Sequence, residues 1–180
     1  MGKRSNFTRR DRDFYPSPRE AVLPLLPHLE PGASFIEPCA GAGDLVRHLR
    51  DARHPCIWAF DTHPQSEDVQ QFDAFDMRMS PWRGGIQGDY IITNPPWARD
   101  VLHPMIQHFA AQRPTWLLFD ADWIHTRQSA PFMRLLRKVV SVGRVKWIPD
   151  SKMTGKDNCA WHLFDAEGEG PALFFGRQDP

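Results

Sequence analysis

At 180 residues the chain has room for one domain with a sizeable core, and a catalytic domain with a separate recognition domain is not expected. Its 22 basic and 22 acidic residues balance, which excludes a global charge field as the means of attracting a polyanion; affinity for nucleic acid would have to come from a local patch. The three cysteines, Cys39, Cys56 and Cys159, lack Cys-x-x-Cys spacing, which excludes a disulfide framework and a zinc centre and suggests a reducing compartment.

Residues 1–13 carry Lys3, Arg4, Arg9, Arg10 and Arg12 with little apolar content, so a flexible basic arm is expected ahead of a single domain over residues 14–180. A solvated terminus explains this arm more simply than a nucleic-acid contact. There is no apolar signal segment, no myristoylation pattern (Asn6 stands where Ser or Thr is needed) and no membrane-spanning run, so a soluble, cytoplasmic protein is expected. From Pro18, AVLPLLPHL has near-helical apolar spacing, with Ser17-Pro18 opening a short helix. ASFIEP then reads as a strand, CAGAG as a turn and DLVRHLRDA as a helix. CIWAFD and DYIITN are further strands, VLHPMIQHFAAQ a helix and TWLLFDADWI a fourth strand. The alternation predicts an α/β fold, a mostly parallel sheet covered by helices on both faces. PFMRLLRKV predicts one more helix, and VVSVGRVKWIP and CAWHLFD an antiparallel hairpin at one sheet edge near the C-terminus.

The stretch FIEPCAGAGDL ends a strand in Glu37 and opens a helix through Gly41 and Gly43, which in an open α/β sheet is the ligand crevice. An ordinary tight turn would look the same, so the discrimination lies in what the stretch lacks. Val46 stands where a dinucleotide fingerprint needs a third glycine, and Gly-Lys-Ser/Thr occurs nowhere. A carboxylate aimed into the crevice repels phosphate and suits a cationic amino group. Asp61 ends the next strand roughly 20 residues beyond the glycines, where a carboxylate can accept both ribose hydroxyls, although a turn aspartate before Thr62 fits equally well. In FDAFD, Asp73 or Asp76 can accept an exocyclic amine. Together these acids describe a nucleoside with a cationic tail.

The tetrapeptide Asn94-Pro95-Pro96-Trp97 follows the strand DYIIT in the same crevice. Asn94 offers a side-chain carbonyl and Pro95 a main-chain carbonyl, and the two prolines restrict the backbone so that both acceptors can converge. Such a pair suits an amino group conjugated to a ring or carbonyl. Accepting its two N–H bonds draws the nitrogen toward tetrahedral geometry and frees the lone pair for attack, with positioning and fixed dipoles supplying the rate. Trp97 offers an aromatic face for a planar substrate, worth roughly 1–3 kcal/mol for a nucleobase. A loop breaker followed by a packing tryptophan is the competing explanation.

With these residues the sequence resembles the class I S-adenosylmethionine-dependent methyltransferases that carry Asp/Asn/Ser-Pro-Pro-aromatic, chiefly adenine-N6 DNA methyltransferases. It is also similar to their small phage and prophage forms through FYPSP, KWIP, GKDN and AW. The resemblance implies a Rossmann-like fold and S-adenosyl-L-methionine as cofactor. Glu37, Pro38, Cys39, Ala40, Gly41, Gly43 and Asp44 would hold its methionine part, with Tyr15, Pro16 and Ser17 closing over that end. Asp61 and Thr62 would take the ribose, and Asp73, Ala74 and Phe75 the adenine. Asn94 to Trp97 would hold the target amine. Trp97 departs from the usual Tyr or Phe, and no target-recognition domain is expected within 180 residues.

Basic residues cluster between Arg134 and Lys156, around the loop DSKMTGKDN flanked by Trp147 and Trp161. Basic groups interleaved with aromatics suit a phosphate backbone with a flipped base, which makes Lys146, Trp147, Ser151, Lys152, Lys156, Asn158 and Trp161 the expected substrate contacts. A solvated hairpin with tryptophans in the core is the alternative. A nucleic-acid partner is expected, DNA ahead of RNA, and a homodimer is one way to supply missing recognition surface. The competing readings are an RNA adenine or guanine amino-methyltransferase, a protein glutamine methyltransferase, and a non-catalytic cofactor-binding subunit.

Overall fold

The computed structural model describes residues 15–78, 87–148 and 154–177. The expected basic arm, and Ser151 and Lys152 of the expected substrate loop, lie outside these residues. Eight strands form one sheet: β1 (Phe35–Glu37), β2 (Cys56–Asp61), β3 (Gln70–Gln71), β4 (Tyr90–Thr93), β5 (Thr115–Asp120), β6 (Leu136–Arg144), β7 (Asn158–Phe164) and β8 (Leu173–Phe175). Their order across the sheet is β3-β2-β1-β4-β5-β7-β6-β8. The neighbours from β3 to β5 are parallel, and β7 runs antiparallel to both β5 and β6. The α/β architecture of the sequence reading is therefore observed.

Among the described residues the α-helices are α1 (Arg19–Val22), α2 (Asp44–Asp51) and α3 (Arg99–Ala110). Alternation along β5 explains how both sheet faces become core. Trp116 and Leu118 join Ala21 and Val22 of α1 and Leu45 and Leu49 of α2 on one side. Leu117 and Phe119 join Leu102, Ile106 and Phe109 of α3 on the other. Buried on both faces, β5 reads as an apolar run rather than an alternating one.

Several expectations need correcting. PFMRLLRKV is not helical: Pro131 lies in a 3-10 turn, Arg127–Phe132, and the chain is already β6 from Leu136. Tertiary pairing wins over the local helical spacing here, because Val139 and Val140 pair with His162 and Trp161 of β7. The strand TWLLFDADWI stops at Asp120, whose carboxylate accepts from Asp122 N (3.0 Å) and turns the chain into a 3-10 helix, Ala121–His125. The antiparallel pair is not at the edge, since β7 inserts between β5 and β6 and β8 pairs with β6 in parallel outside it. Pro18 is the N-cap of α1 rather than its first residue, and Ser17 caps nothing; its hydroxyl is used elsewhere.

The chain leaves β1 for β2 on one side and returns to place β4 on β1's other side. Glu37, Asp61 and Asn94 thus stand at or just past the carboxyl ends of β1, β2 and β4, around the topological switch point.

Candidate active site

A cavity of about 830 Å³ opens at this switch point, a volume suited to a small-molecule ligand. Its wall contains Tyr15, Pro16 and Ser17, then Glu37, Pro38, Cys39, Ala40, Gly41 and Asp44, then Asp61 and Thr62, then Asp73, Ala74 and Phe75, and finally Asn94 and Pro96. Of the expected cofactor residues only Gly43 is outside the wall. Its function is conformational: φ is +78° at the N-cap of α2, a left-handed backbone that lets the chain turn from the loop into the helix. Asp44 follows in the first helical turn, with His48 and Arg50 in the last, matching the helix dipole at both ends.

Glu37 is 2% exposed, and its Oε2 has no hydrogen-bond partner among the described residues. Burial, followed by the Asp61 and Asp44 carboxylates, holds its carboxyl well above the ordinary range. A cation brought beside it would favour its ionised form. Asp61 is held differently: Oδ2 accepts from Gly41 N (3.0 Å) and Oδ1 from His63 N (2.8 Å), so both oxygens are fixed while lone pairs remain for a ligand. Asp73 caps the 3-10 turn Ala74–Asp76 by accepting from Phe75 N (2.9 Å), which brings Ala74 and Phe75 to the cavity. Asp76, its sequence alternative, is exposed and outside the wall. Thr62 is exposed and its hydroxyl sits 3.1 Å from His63 Nδ1.

Asn94 joins three parts of the chain. Its Nδ2 donates to Ser17 Oγ (3.2 Å) and Tyr15 O (3.4 Å), and its Oδ1 accepts from Trp97 Nε1 (3.2 Å). Trp97 Nε1 also donates to Leu118 O (3.2 Å). Pro95 is buried and, like Trp97, lies outside the cavity wall; Trp97 packs against both core clusters.

The substrate residues divide. Trp147 is half-buried beside the tetrapeptide, with its ring 5.9 Å from Trp97 and 6.4 Å from Tyr15. The main-chain N–H of Lys146 donates to the Glu20 carboxylate (3.0 Å), and Lys156 and Asn158 are exposed. Trp161 is a correction. It is fully buried and its Nε1 donates to Ala21 O (2.7 Å), so α1 covers the ring and no base can reach it. Arg137, part of the basic cluster, turns its guanidinium back onto the main-chain oxygens of Leu136 and Gly168.

The sequence reading missed Ala42, Leu45, His63, Gln65, Ala98, Val101 and Met105 in the wall. Val101 and Met105 were within reach, since their i, i+4 spacing on the helix after the tetrapeptide puts them on one face. Among the described residues, no helix is long and apolar enough to cross a membrane.

No protein-family model and no curated relative matches the chain by sequence. Solved structures do match. A type I restriction-modification system methyltransferase subunit from Streptococcus thermophilus has a TM-score of 0.56 at 8% identity, over 90% of this chain and 47% of that one. A protein from Listeria monocytogenes, assigned as a class I S-adenosylmethionine-dependent methyltransferase, has a TM-score of 0.55 at 9% identity, over 89% and 64%. The 23S rRNA methyltransferase ErmE has a TM-score of 0.51 at 14% identity, over 89% and 72%. The chain spans less than two thirds of the first two. Its fold is that of the class I methyltransferases.

Proposed function

We propose that this methyltransferase-like fold carries out S-adenosyl-L-methionine-dependent methyl transfer to the exocyclic N6 amine of adenine in DNA. The observation that carries the reading is one cavity wall holding both the buried carboxyl of Glu37, whose Oε2 has no hydrogen-bond partner among the described residues, and the carboxamide of Asn94. The residues present fit the cofactor. Glu37 supplies the negative charge that a cationic α-amino group completes, Asp61 the two fixed acceptors for ribose hydroxyls, and the Asp73–Phe75 turn a polar edge and an aromatic ring for adenine. When bound, the cofactor supplies a methyl group activated on a sulfonium.

The chain's own residues do the rest. Asn94 Oδ1, in the wall, and the Pro95 carbonyl, on the buried main chain that links Asn94 to Pro96 of the wall, would accept the two N–H bonds of the target amine and localise its lone pair for attack. Neither group can act as a base, and none is required, because the nitrogen becomes acidic only as it is alkylated. A duplex base has to leave the stack to enter, and Trp147, outside the cavity wall but beside the tetrapeptide, is the ring we assign to meet it. The match to a restriction-modification subunit supports DNA as the acceptor, and the match to ErmE supports a second reading, an RNA amino group.

Incubation with labelled cofactor and, separately, unmethylated duplex DNA, transcribed RNA and a glutamine peptide tests the reading. Label in DNA at N6 of adenine is the expected result. Label confined to RNA selects the second reading, label in the peptide overturns both, and cofactor binding without transfer to any acceptor identifies a non-catalytic subunit.

A further inference from the structure

The carboxamide of Asn94 has two ends of nearly equal size and opposite chemistry, so a catalytic use of its oxygen requires something to prevent it from turning over. Two neighbours do so because each has only one hydrogen-bonding sense. The Tyr15 carbonyl, 3.4 Å from Nδ2, can only accept, and the Trp97 indole N–H, 3.2 Å from Oδ1, can only donate. A flipped amide would oppose two acceptors at Tyr15 and two donors at Trp97. Ser17, 5% exposed, adds a hydroxyl that is indifferent to sense but fixes the amide's position.

Trp97 is itself anchored. The same N–H reaches Leu118 O at 3.2 Å, on the neighbouring strand β5, and the ring stands edge-on to Trp147 at 83°. It packs against both core clusters and contributes nothing to the cavity wall. Its N–H, rather than its face, is what it directs at the site.

We propose that Trp97 is a positioning residue that acts through its indole N–H, and that Trp97 and the Tyr15–Ser17 segment together hold the Asn94 oxygen in the sense an incoming amine requires. The proposal rests on the reading of Asn94 as the amine acceptor. Oδ1 keeps a second lone pair for the substrate, and donation from Nδ2 to Tyr15 and Ser17 polarises the amide and makes that oxygen a better acceptor. A phenylalanine at 97 would keep an aromatic ring but lose the constraint. A flipped Asn94 would then present N–H groups to an amine that also donates.

The test replaces Trp97 with benzothienylalanine, which keeps the ring shape and puts sulfur in place of the N–H, alongside Trp97→Phe, Ser17→Ala and Asn94→Ala. Steady-state rates use S-adenosylmethionine with duplex DNA and with transcribed RNA. The expected result is a kcat lowered about 10- to 100-fold by the sulfur analogue, as for a misplaced catalytic group, with KM for the nucleic acid unchanged. Full kcat in that variant, with Asn94→Ala inactive, overturns this inference and leaves the site reading intact. Full activity in Asn94→Ala overturns the site reading itself. A second readout needs no turnover: the Trp97 indole ¹H–¹⁵N signal should shift in Asn94→Ala and in Ser17→Ala, and an indole signal unmoved by Asn94→Ala overturns the inference.

Discussion

Two side chains in this molecule break the same rule in different surroundings. Glu37 on β1 and His162 on β7 are both buried, and both carry polar atoms without a hydrogen-bond partner among the described residues. Glu37 faces the cavity, with burial and then the carboxylates of Asp61 and Asp44 raising its pKa. His162 lies among rings, with the main chain of Leu117 and Ala160 beside its imidazole. It stacks on Phe119 at 3.9 Å and 16°, with Phe164 at 6.2 Å and the edge of Trp123 at 5.9 Å, and burial pushes its pKa down to about 3. The contrast lies in the surroundings: an orphaned polar group that borders space and like charge has room for a ligand. Sealed among aromatic rings, it is a neutral imidazole used as a flat packing surface.

The strongest way to break the comparison is to remove the group proposed to make the cavity reactive. Asn94→Ala should lower kcat by about 10²- to 10³-fold, as loss of a preorganised hydrogen-bonding group does, while affinity for S-adenosylhomocysteine stays near wild type by calorimetry. Retained turnover would mean that the cavity is a binding site without the proposed chemistry.

Glu37→Gln is next in size. Calorimetric affinity for S-adenosylhomocysteine should fall about 10- to 100-fold through loss of a desolvated charge pair. The pH dependence gives the sign. A carboxyl with a raised folded-state pKa favours the folded state fully below its ordinary value, and that contribution is lost as pH rises through the raised value. Binding of a cationic amino group should strengthen over the same window, because the ligand needs the ionised form. The variant should show neither trend. A pH-independent affinity in the wild type would remove Glu37 from the proposed role.

The two sites also differ in how legible they were. Glu37, Asp61, Asp73 and Asn94 could be found because each stands where a strand runs into a turn, so glycine, proline and carboxylate spacing along a few residues carries the information. Trp161 could not. Its partner, the Ala21 carbonyl, is 140 positions away, and nothing near Trp161 announces that α1 covers it. The same limit hid β8, three residues whose strand character comes from pairing with Lys138, Val139 and Val140, and it made residues 136–139, the start of β6, resemble the end of a helix. The fold class survived these errors because the apolar strands β1, β4 and β5 and the turn after β1 are locally encoded. Trp161→Phe provides a test: stability in urea should fall by about 1 kcal/mol through the lost hydrogen bond, with nucleic-acid affinity unchanged.

His162 gives the smallest slope per pH unit and the cleanest sign. An imidazole in the unfolded chain takes up a proton near its ordinary value of 6.5, whereas the folded ring resists until about 3. Between these values the unfolded state holds more protons, so stability rises with pH; the contribution is fully present above the ordinary value and is lost as pH falls toward the folded one. Urea unfolding should therefore show His162 lowering wild-type stability by about 1 kcal/mol per pH unit between about pH 6 and about pH 4. His162→Phe keeps a ring against Phe119 and removes the proton. Its absolute stability includes whatever the larger ring costs in packing, so the informative quantity is the difference in slope between variant and wild type, in which the other titrating groups cancel. A slope difference of zero would mean that the folded imidazole titrates normally and that solvent reaches it. His162 would then belong with Glu37 as a polar group bordering accessible space, and the distinction between the two sites would fail.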